Sequence, residues 1–171
     1  ADTPFGERSS AGKLFGATGG VMEAAVRTAY KLLTGDELTD LKIQAVRGLD
    51  GVKEAALPVG DLEVKVAVVS GLSNAKQLLE DVKAGRREYH FIEVMTCPGG
   101  CIAGGGQPIG TDIEAVKSRL RGLYKIDKDC VVRTSHSNPS VQRLYKEYLG
   151  EPLGEKSHHL LHTKYVERET M

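Results

Sequence analysis

The 171-residue sequence is short of several things, and each shortage removes a class of explanation. It has no excess of charge: 23 lysines and arginines stand against 23 aspartates and glutamates. Nothing in that balance suggests a nucleic acid or a charged membrane surface as partner. It has no apolar run approaching the roughly 18–20 residues that span a bilayer, and no stretch reads as a signal peptide. Cysteine is scarce. Three residues are an odd number and too few for a disulfide scaffold, which favours a reducing compartment. There is no internal repeat and no low-complexity segment. The chain also has no initiator Met, opening instead on the polar, glycine-rich "ADTPFGERSSAGKLFGATGG". That reads as the interior of a longer polypeptide, either cut or processed, or as the second half of something split. What remains has the composition of a soluble globular protein, one domain or one and a half, with enough chain to bury a core.

Periodicity supplies the elements. In "VMEAAVRTAYKLL", Val21, Ala24, Ala25, Thr28 and Leu32 form a helical stripe that Gly35 ends. Three strand-like runs follow, over 41–47, 52–57 and 62–70. The last becomes continuously apolar, as a strand covered on both faces does. "SNAKQLLEDVKAG" predicts a helix capped by Ser73 or Asn74 and stopped at Gly85. "YHFIEVM" is the next buried strand. Strand, helix, strand in that order implies a βαβ crossover and at least one parallel pair. After Pro108 the pattern turns helical. Thr111 with Glu114 reads as a capping box, and Pro139 and Gly150 bracket a further helix. Residues 111–171 are therefore expected to form a helical tail outside the sheet, carrying Tyr124, Tyr145, Tyr148 and Tyr165 as aromatic anchors.

The chemistry concentrates in "FIEVMTCPGGCIAGGGQP", from Phe91 to Pro108. A strand ends at Cys97, Pro98-Gly99-Gly100 turns the chain, and Cys101 opens a second run of glycines. This puts two thiols at the carboxyl edge of a sheet, where open α/β folds bind their ligands. Glycines there let backbone N–H groups approach an anionic group, as in iron–sulfur sites. The spacing excludes a zinc ribbon, which needs a second cysteine pair, and a thioredoxin motif, which has two intervening residues. An iron–sulfur cluster takes four cysteines. Cys130, next to Asp127 and Asp129, is a poor third thiolate, so the chain offers half a site. Two reduced packing cysteines remain the bland alternative.

Other candidates are weaker. "FGATGG", from Phe15 to Gly20, precedes a helix but lacks the Lys-Ser/Thr ending of a phosphate loop. It is either a close-packed helix start or a place where N–H groups meet an anion. His136 reads as a capping or hydrogen-bonding residue. His158, His159 and His162 read as polar packing of the tail, although His158 and His162 could share a helical face.

These residues resemble a known family. "FIEVMTCPGGCIAGGGQP" is very similar to the third signature of the [FeFe]-hydrogenases. "DTPFGERSSAGKLFGATGGVMEAAVRTAY" resembles the segment preceding that signature, and "RTSHSNPSVQRLYKEYLGEPLGEKSHHLLHTKY" the family's C-terminal small-subunit region. The resemblance implies an α/β fold: one lobe of the H-cluster domain, with a small mixed or parallel sheet flanked by helices, followed by a helical belt. It divides the chain into a lobe over 1–110 and a small-subunit-like region over 111–171. It implies reversible proton reduction to dihydrogen at an H-cluster, a [4Fe–4S] cubane joined through a cysteine sulfur to a two-iron centre with CO, cyanide and dithiolate ligands. Cys101 would bridge the two parts and Cys97 would ligate the cubane. Met95 would pack beside the two-iron centre, and Phe15, Gly16 and Gly19 would line its pocket.

The two earlier family signatures have no counterpart in this sequence, so the expected partner is a hydrogenase polypeptide that carries them. An electron partner is also expected: a ferredoxin, NADH-linked subunits or a cytochrome. A cytoplasmic location follows, with the periplasm as alternative. The competing reading is a non-catalytic relative in iron–sulfur assembly or sensing. Relatives of the assembly type tend to end in a tryptophan-bearing tail, and this chain has no Trp.

Overall fold

The computed structural model describes residues 6–166 and 169. Asp2 to Phe5, the first four residues of the segment that resembles the hydrogenases, therefore lie outside the described residues. The chain divides into two compact units, Ser9–Ser135 and a smaller one made of Ala1–Arg8 with His136–Met171.

The larger unit is built on a mixed sheet of order β1-β2-β3. Strands β1 (Val52–Val59) and β2 (Leu62–Ser70) form an antiparallel hairpin with Val59 opposite Leu62. Gly60, at φ +61°, supplies the left-handed residue such a two-residue turn requires. Strand β3 (Phe91–Met95) lies parallel to β2, with Ser70 opposite Met95. Helix α3 (Leu72–Lys83) makes the crossover between them, so the expected βαβ unit and parallel pair are present.

Strand β2 is central, and residues Val66 to Ser70 are all buried. Its two faces feed two cores. Val66 and Val68 pack with Met22, Val26, Ile43 and Val46 on the side of helix α2 (Gly20–Thr34). Ala67 and Val69 pack with Ala75 and Leu78 of α3 on the other. The period-2 alternation of a strand serves both layers at once.

Helices α1 (Ser10–Leu14) and α4 (Ile113–Asp129) complete this unit. Val116 and Leu120 of α4 pack on Ala17 and Ile102, with Leu123 and Tyr124 alongside. The Tyr124 hydroxyl accepts from the Gly48 N–H at 3.0 Å.

Three local expectations are corrected. Residues 41–47 do not form a strand; Gln44–Val46 is a 3₁₀ turn. A three-residue spacing buries Ile43 and Val46 on one side, and the Leu41 carbonyl takes its hydrogen bond from the Arg27 side chain rather than from a neighbouring strand. Helix α4 is capped by Asp112, whose carboxylate accepts from the Ala115 N–H at 2.8 Å, while the Thr111 hydroxyl donates to Pro108. Helix α3 is not capped by a side chain. Gly71 holds the N-cap, and Asn74 donates instead to the Ser70 carbonyl.

The smaller unit contains α5 (Pro139–Leu144), which runs into a π turn at Tyr145–Leu149, and α6 (Glu155–Leu161). Asn138 caps α5 by accepting from Ser140 N–H, and its amide donates to the Glu7 carbonyl. Gly150 ends the π turn, as expected. His158 and His162 meet edge to face on one side of α6, and among the described residues no third ligand-type side chain joins them. The Gln142 side chain donates to the His136 carbonyl at 2.8 Å.

Candidate functional site

Strand β3 delivers its last residues to the carboxyl edge of the sheet, and the two glycine loops meet there. The Thr18 N–H donates to the Gly99 carbonyl at 3.2 Å, and the Ile102 N–H donates to the Gly16 carbonyl at 3.0 Å. The segment after Phe15 is thus laced by its main chain to the segment holding Cys97 and Cys101. Cys101 opens a short 3₁₀ turn, Cys101–Ala103, rather than a full helix. Both thiols are free and exposed.

Met95 joins them. A Cβ added to Gly100 would lie 3.0 Å from the Met95 methyl carbon, 3.0 Å from the Gly16 carbonyl oxygen and 2.9 Å from the Thr18 nitrogen. At Gly104 it would come within 3.3 Å of the Cys97 sulfur. Met95, Gly16, Cys97 and Cys101 are therefore brought into one neighbourhood across 85 residues of chain, and Phe15 borders it with its ring part-exposed. Glycine at 100 has both a φ of +90° and no room for a side chain, so the loop has this form only with glycine there.

Gly19 plays a different part. Its N–H donates to one carboxylate oxygen of Glu93 and the Met22 N–H to the other, both at 2.6 Å. N–H groups at the start of α2 thus meet an anion, the protein's own Glu93 side chain, and the helix start is close-packed as well. A Cβ on Gly19 would fall 1.9 Å from the Val46 carbonyl oxygen, at a φ of +88°. Gly19→Ala is expected to cost more than about 3 kcal/mol, since both strain and overlap oppose it. Gly35→Ala, also at positive φ but in open space, should cost only about 1–2 kcal/mol. Denaturant unfolding of the two variants provides the comparison.

Residues that sequence reasoning missed hold this neighbourhood in place. Buried Lys53 donates to the Thr18 carbonyl at 3.0 Å and the Gly48 carbonyl at 3.1 Å. With Glu93 on the N–H groups and Lys53 on a carbonyl, the glycine loop is gripped by two opposite charges. The signal for Glu93 was a single carboxylate inside the apolar run "FIEVM"; Lys53 carried none, since lysine alternates with apolar residues in any half-exposed strand.

Burial pushes the Lys53 ammonium down to about 8, against the opposing pull of Glu93 and Asp50. In the unfolded chain lysine titrates near 10.4. Between about pH 8 and 10 the unfolded state therefore binds more protons, and stability should rise with pH across that window. Urea unfolding at pH 7.5 and 9.5 tests this, and Lys53→Met should flatten the rise.

Behind the loop, α1, α2 and α4 are joined by a buried ionic cluster. All five Arg27 N–H donors are used: on both oxygens of Asp127, on Glu23, and on the carbonyls of Leu41 and Arg133. Arg47 grips Glu23 with two nitrogens and reaches Asp127 as well; Arg133 and Ser10 also donate to Asp127. Cys130 lies at the end of α4, half-buried, its thiol donating to the Val132 carbonyl at 3.3 Å. It is remote in role from the other two cysteines.

Residues 1–105 match the model for the iron only hydrogenase large subunit, C-terminal domain, and residues 113–168 match that for the iron hydrogenase small subunit. The chain belongs to the [FeFe]-hydrogenase family. It is 50% identical to the NADP-reducing hydrogenase subunit HndD of Solidesulfovibrio fructosivorans over 99% of this chain and 29% of that one. Iron hydrogenase 1 of Clostridium pasteurianum is 44% identical, over 96% of this chain and 30% of that one. Cytosolic iron-sulfur assembly component 3 of Rattus norvegicus is 35% identical, over 88% and 31%. A solved [FeFe]-hydrogenase, HydA1 from Chlamydomonas reinhardtii, superposes with a TM-score of 0.73 at 44% identity, over 96% of this chain and 48% of that one. The chain thus spans about a third of these curated relatives and half of the solved hydrogenase.

With two well-placed thiols and glycines at close approach, the residues fit an iron–sulfur group in part. Among the described residues no cluster of three or more His, Cys, Asp or Glu side chains forms. The fit is to half of a four-thiolate ligand set.

Proposed function

We propose that this chain is part of an [FeFe]-hydrogenase, catalysing reversible proton reduction and dihydrogen oxidation at an H-cluster that another segment of polypeptide completes. The observation that carries the proposal is the meeting of Cys97, Cys101, Met95 and the Gly16 loop at one end of the sheet. In this reading Cys101 would supply the thiolate toward the two-iron centre, Cys97 would be a ligand of the cubane, and Met95, Phe15, Gly16 and Gly19 would line the pocket. The cofactor, when bound, supplies the redox and hydrogen chemistry. The chain's own work is to present two thiolates on a loop held rigid by its neighbours. Gly19 contributes through its conformation, since its N–H is committed to Glu93.

The division into a lobe over 1–110 and a small-subunit-like region over 111–171 is part of the same proposal, supported by the separate family matches on either side. The electron partner is a ferredoxin, an NADH- or NADP-linked subunit, or a cytochrome; the name of the HndD relative favours the nucleotide-linked type. No helix among the described residues is long and apolar enough to cross a membrane. We place the protein in the cytoplasm, with the periplasm as alternative. The second reading, a non-catalytic role in iron–sulfur assembly, is favoured by relatives named for that process, at 30–35% identity against 44–56% for the hydrogenases.

Anaerobic reconstitution with iron and sulfide tests the incomplete ligand set. The isolated chain is expected to retain no stable four-iron cluster by iron counting and EPR. A full cubane on this chain alone would refute the shared site.

A further inference from the structure

We infer that the cavity between the 40–47 loop and the C-terminal half of α4 is a binding site for a phosphomonoester, a small molecule ending in one ionised phosphate. The site is separate from the proposed hydrogenase chemistry, since no residue lining it lies on the cysteine loop.

The cavity has a volume of about 690 Å³, within the range of small-molecule sites, and lies wholly inside the larger unit. Lys42, Arg47, Lys125, Lys128 and Arg133 line it, against the carboxylates of Asp40, Asp127 and Asp129. Five positive groups less three negative ones leave an excess of two. A terminal phosphate carries about −1.5 to −2 at pH 7 and matches that excess, whereas a lone carboxylate supplies one charge. The excess is local, because the chain as a whole is neutral.

The carboxylates of the cavity are already engaged. Asp127 accepts from Ser10, Arg27, Arg47 and Arg133; Asp129 pairs with Lys125; Asp40 accepts from the Lys42 N–H at 2.9 Å. What is left over is donors. The Arg47 side chain is only 6% exposed, its Nε and Nη2 are bound to Glu23 and Asp127, and its guanidinium carbon lies 4.3 Å from the centre of the Tyr124 ring. Its Nη1 has no acceptor among the described residues and is not sealed from solvent. Arg133 spends Nη2 on Asp127 and has no acceptor for Nη1 among the described residues. The exposed Lys42 and Lys128 amines form no hydrogen bond or ion pair among those residues either. A guanidinium pinned by two carboxylates and an aromatic ring offers its remaining edge with little further loss of freedom, and such an edge suits phosphate oxygens. The flexible lysines at the rim can close on the oxygens that remain.

Calorimetric titration of the chain with phenyl phosphate tests the assignment, with benzoate as the singly charged control. It is run at about 0.15 M salt, where attraction between exposed charges is largely screened. Phenyl phosphate is expected to bind about tenfold or more tightly than benzoate. Substituting Arg47 would disturb the ionic cluster, so the variant is Lys42→Gln with Lys128→Gln, whose amines hold no other group. It should melt with the parent and bind phenyl phosphate about tenfold more weakly. Equal affinity for benzoate, or unchanged affinity in the double variant, overturns the assignment. So does binding that the isolated chain shows and that is lost once the chain stands in place of the matched segment of HndD in an enzyme that turns over hydrogen, because the cavity then belongs to the contacts of the assembled protein.

Discussion

Cys101→Ser is expected to abolish hydrogen turnover in a chimera in which this chain replaces the matched segment of the HndD relative, and Cys130→Ser to leave it within about twofold of the parent. The contrast follows from where each thiol sits. Cys101 is exposed on the turn that faces the Gly16 loop, and the main-chain bonds that shape this turn run through Gly16, Gly100 and Ile102 rather than through its sulfur. Serine there should leave the fold intact, so melting temperature should change by less than a few degrees. It replaces a soft thiolate with a hydroxyl that iron–sulfur centres bind poorly. Loss of turnover with an unchanged melting temperature therefore reports ligation, not unfolding. Cys130 makes one local bond to Val132, and a hydroxyl reproduces it. A Cys130→Ser chimera that lost both iron and activity would show that the ligand set had been assigned wrongly.

Asp127→Ala should be the most destabilising single substitution in the larger unit, by about 3–5 kcal/mol. Asp127 is buried and accepts from Ser10, Arg27, Arg47 and Arg133. Its removal leaves buried guanidinium groups facing Glu23 alone, and an uncompensated buried charge costs more than the pair gained. Burial raises the Asp127 carboxyl, but hydrogen bonds from Arg27, Arg133 and Ser10 outweigh that and hold it far below the usual carboxylate range. A depressed folded value means that its contribution is fully present above about pH 4, where the unfolded carboxyl ionises. The contribution then falls as pH drops below that point. Urea unfolding at pH 7 and pH 3 should show a large acid loss in the parent and a smaller one in Asp127→Ala. An equal loss in both would place the acid sensitivity elsewhere.

Much of the site could be read in one dimension because its parts are contiguous. Met95, Cys97, Gly100 and Cys101 fall within seven residues at the end of an apolar run, and thiol spacing and glycine content are local properties. The count of two usable cysteines was available for the same reason. So were the βαβ unit and the helix ends at Gly35 and Gly150, which depend on neighbouring residues alone.

The supports of the site were not legible, because each joins residues far apart in the chain. Glu93 reaches back to the start of α2, Lys53 to Thr18, and Asp127 to Arg27 across a separation of 100 residues. A carboxylate in a strand and one on a helix look alike in sequence whether they meet solvent or three arginines. The misassigned strand over 41–47 shares this cause, since a distant arginine took the Leu41 carbonyl.

By itself, then, the sequence determined the chemistry on offer: two thiolates and a glycine-rich loop at a strand end, a family resemblance, and a ligand set too small to close. Only the tertiary structure decided which anion occupies the start of α2 and which charges hold the Gly16 loop against the cysteines. Thiol count and backbone permissiveness are properties of residues taken singly or in short runs. Charge pairing inside a core is a property of what folding brings together and removes from water.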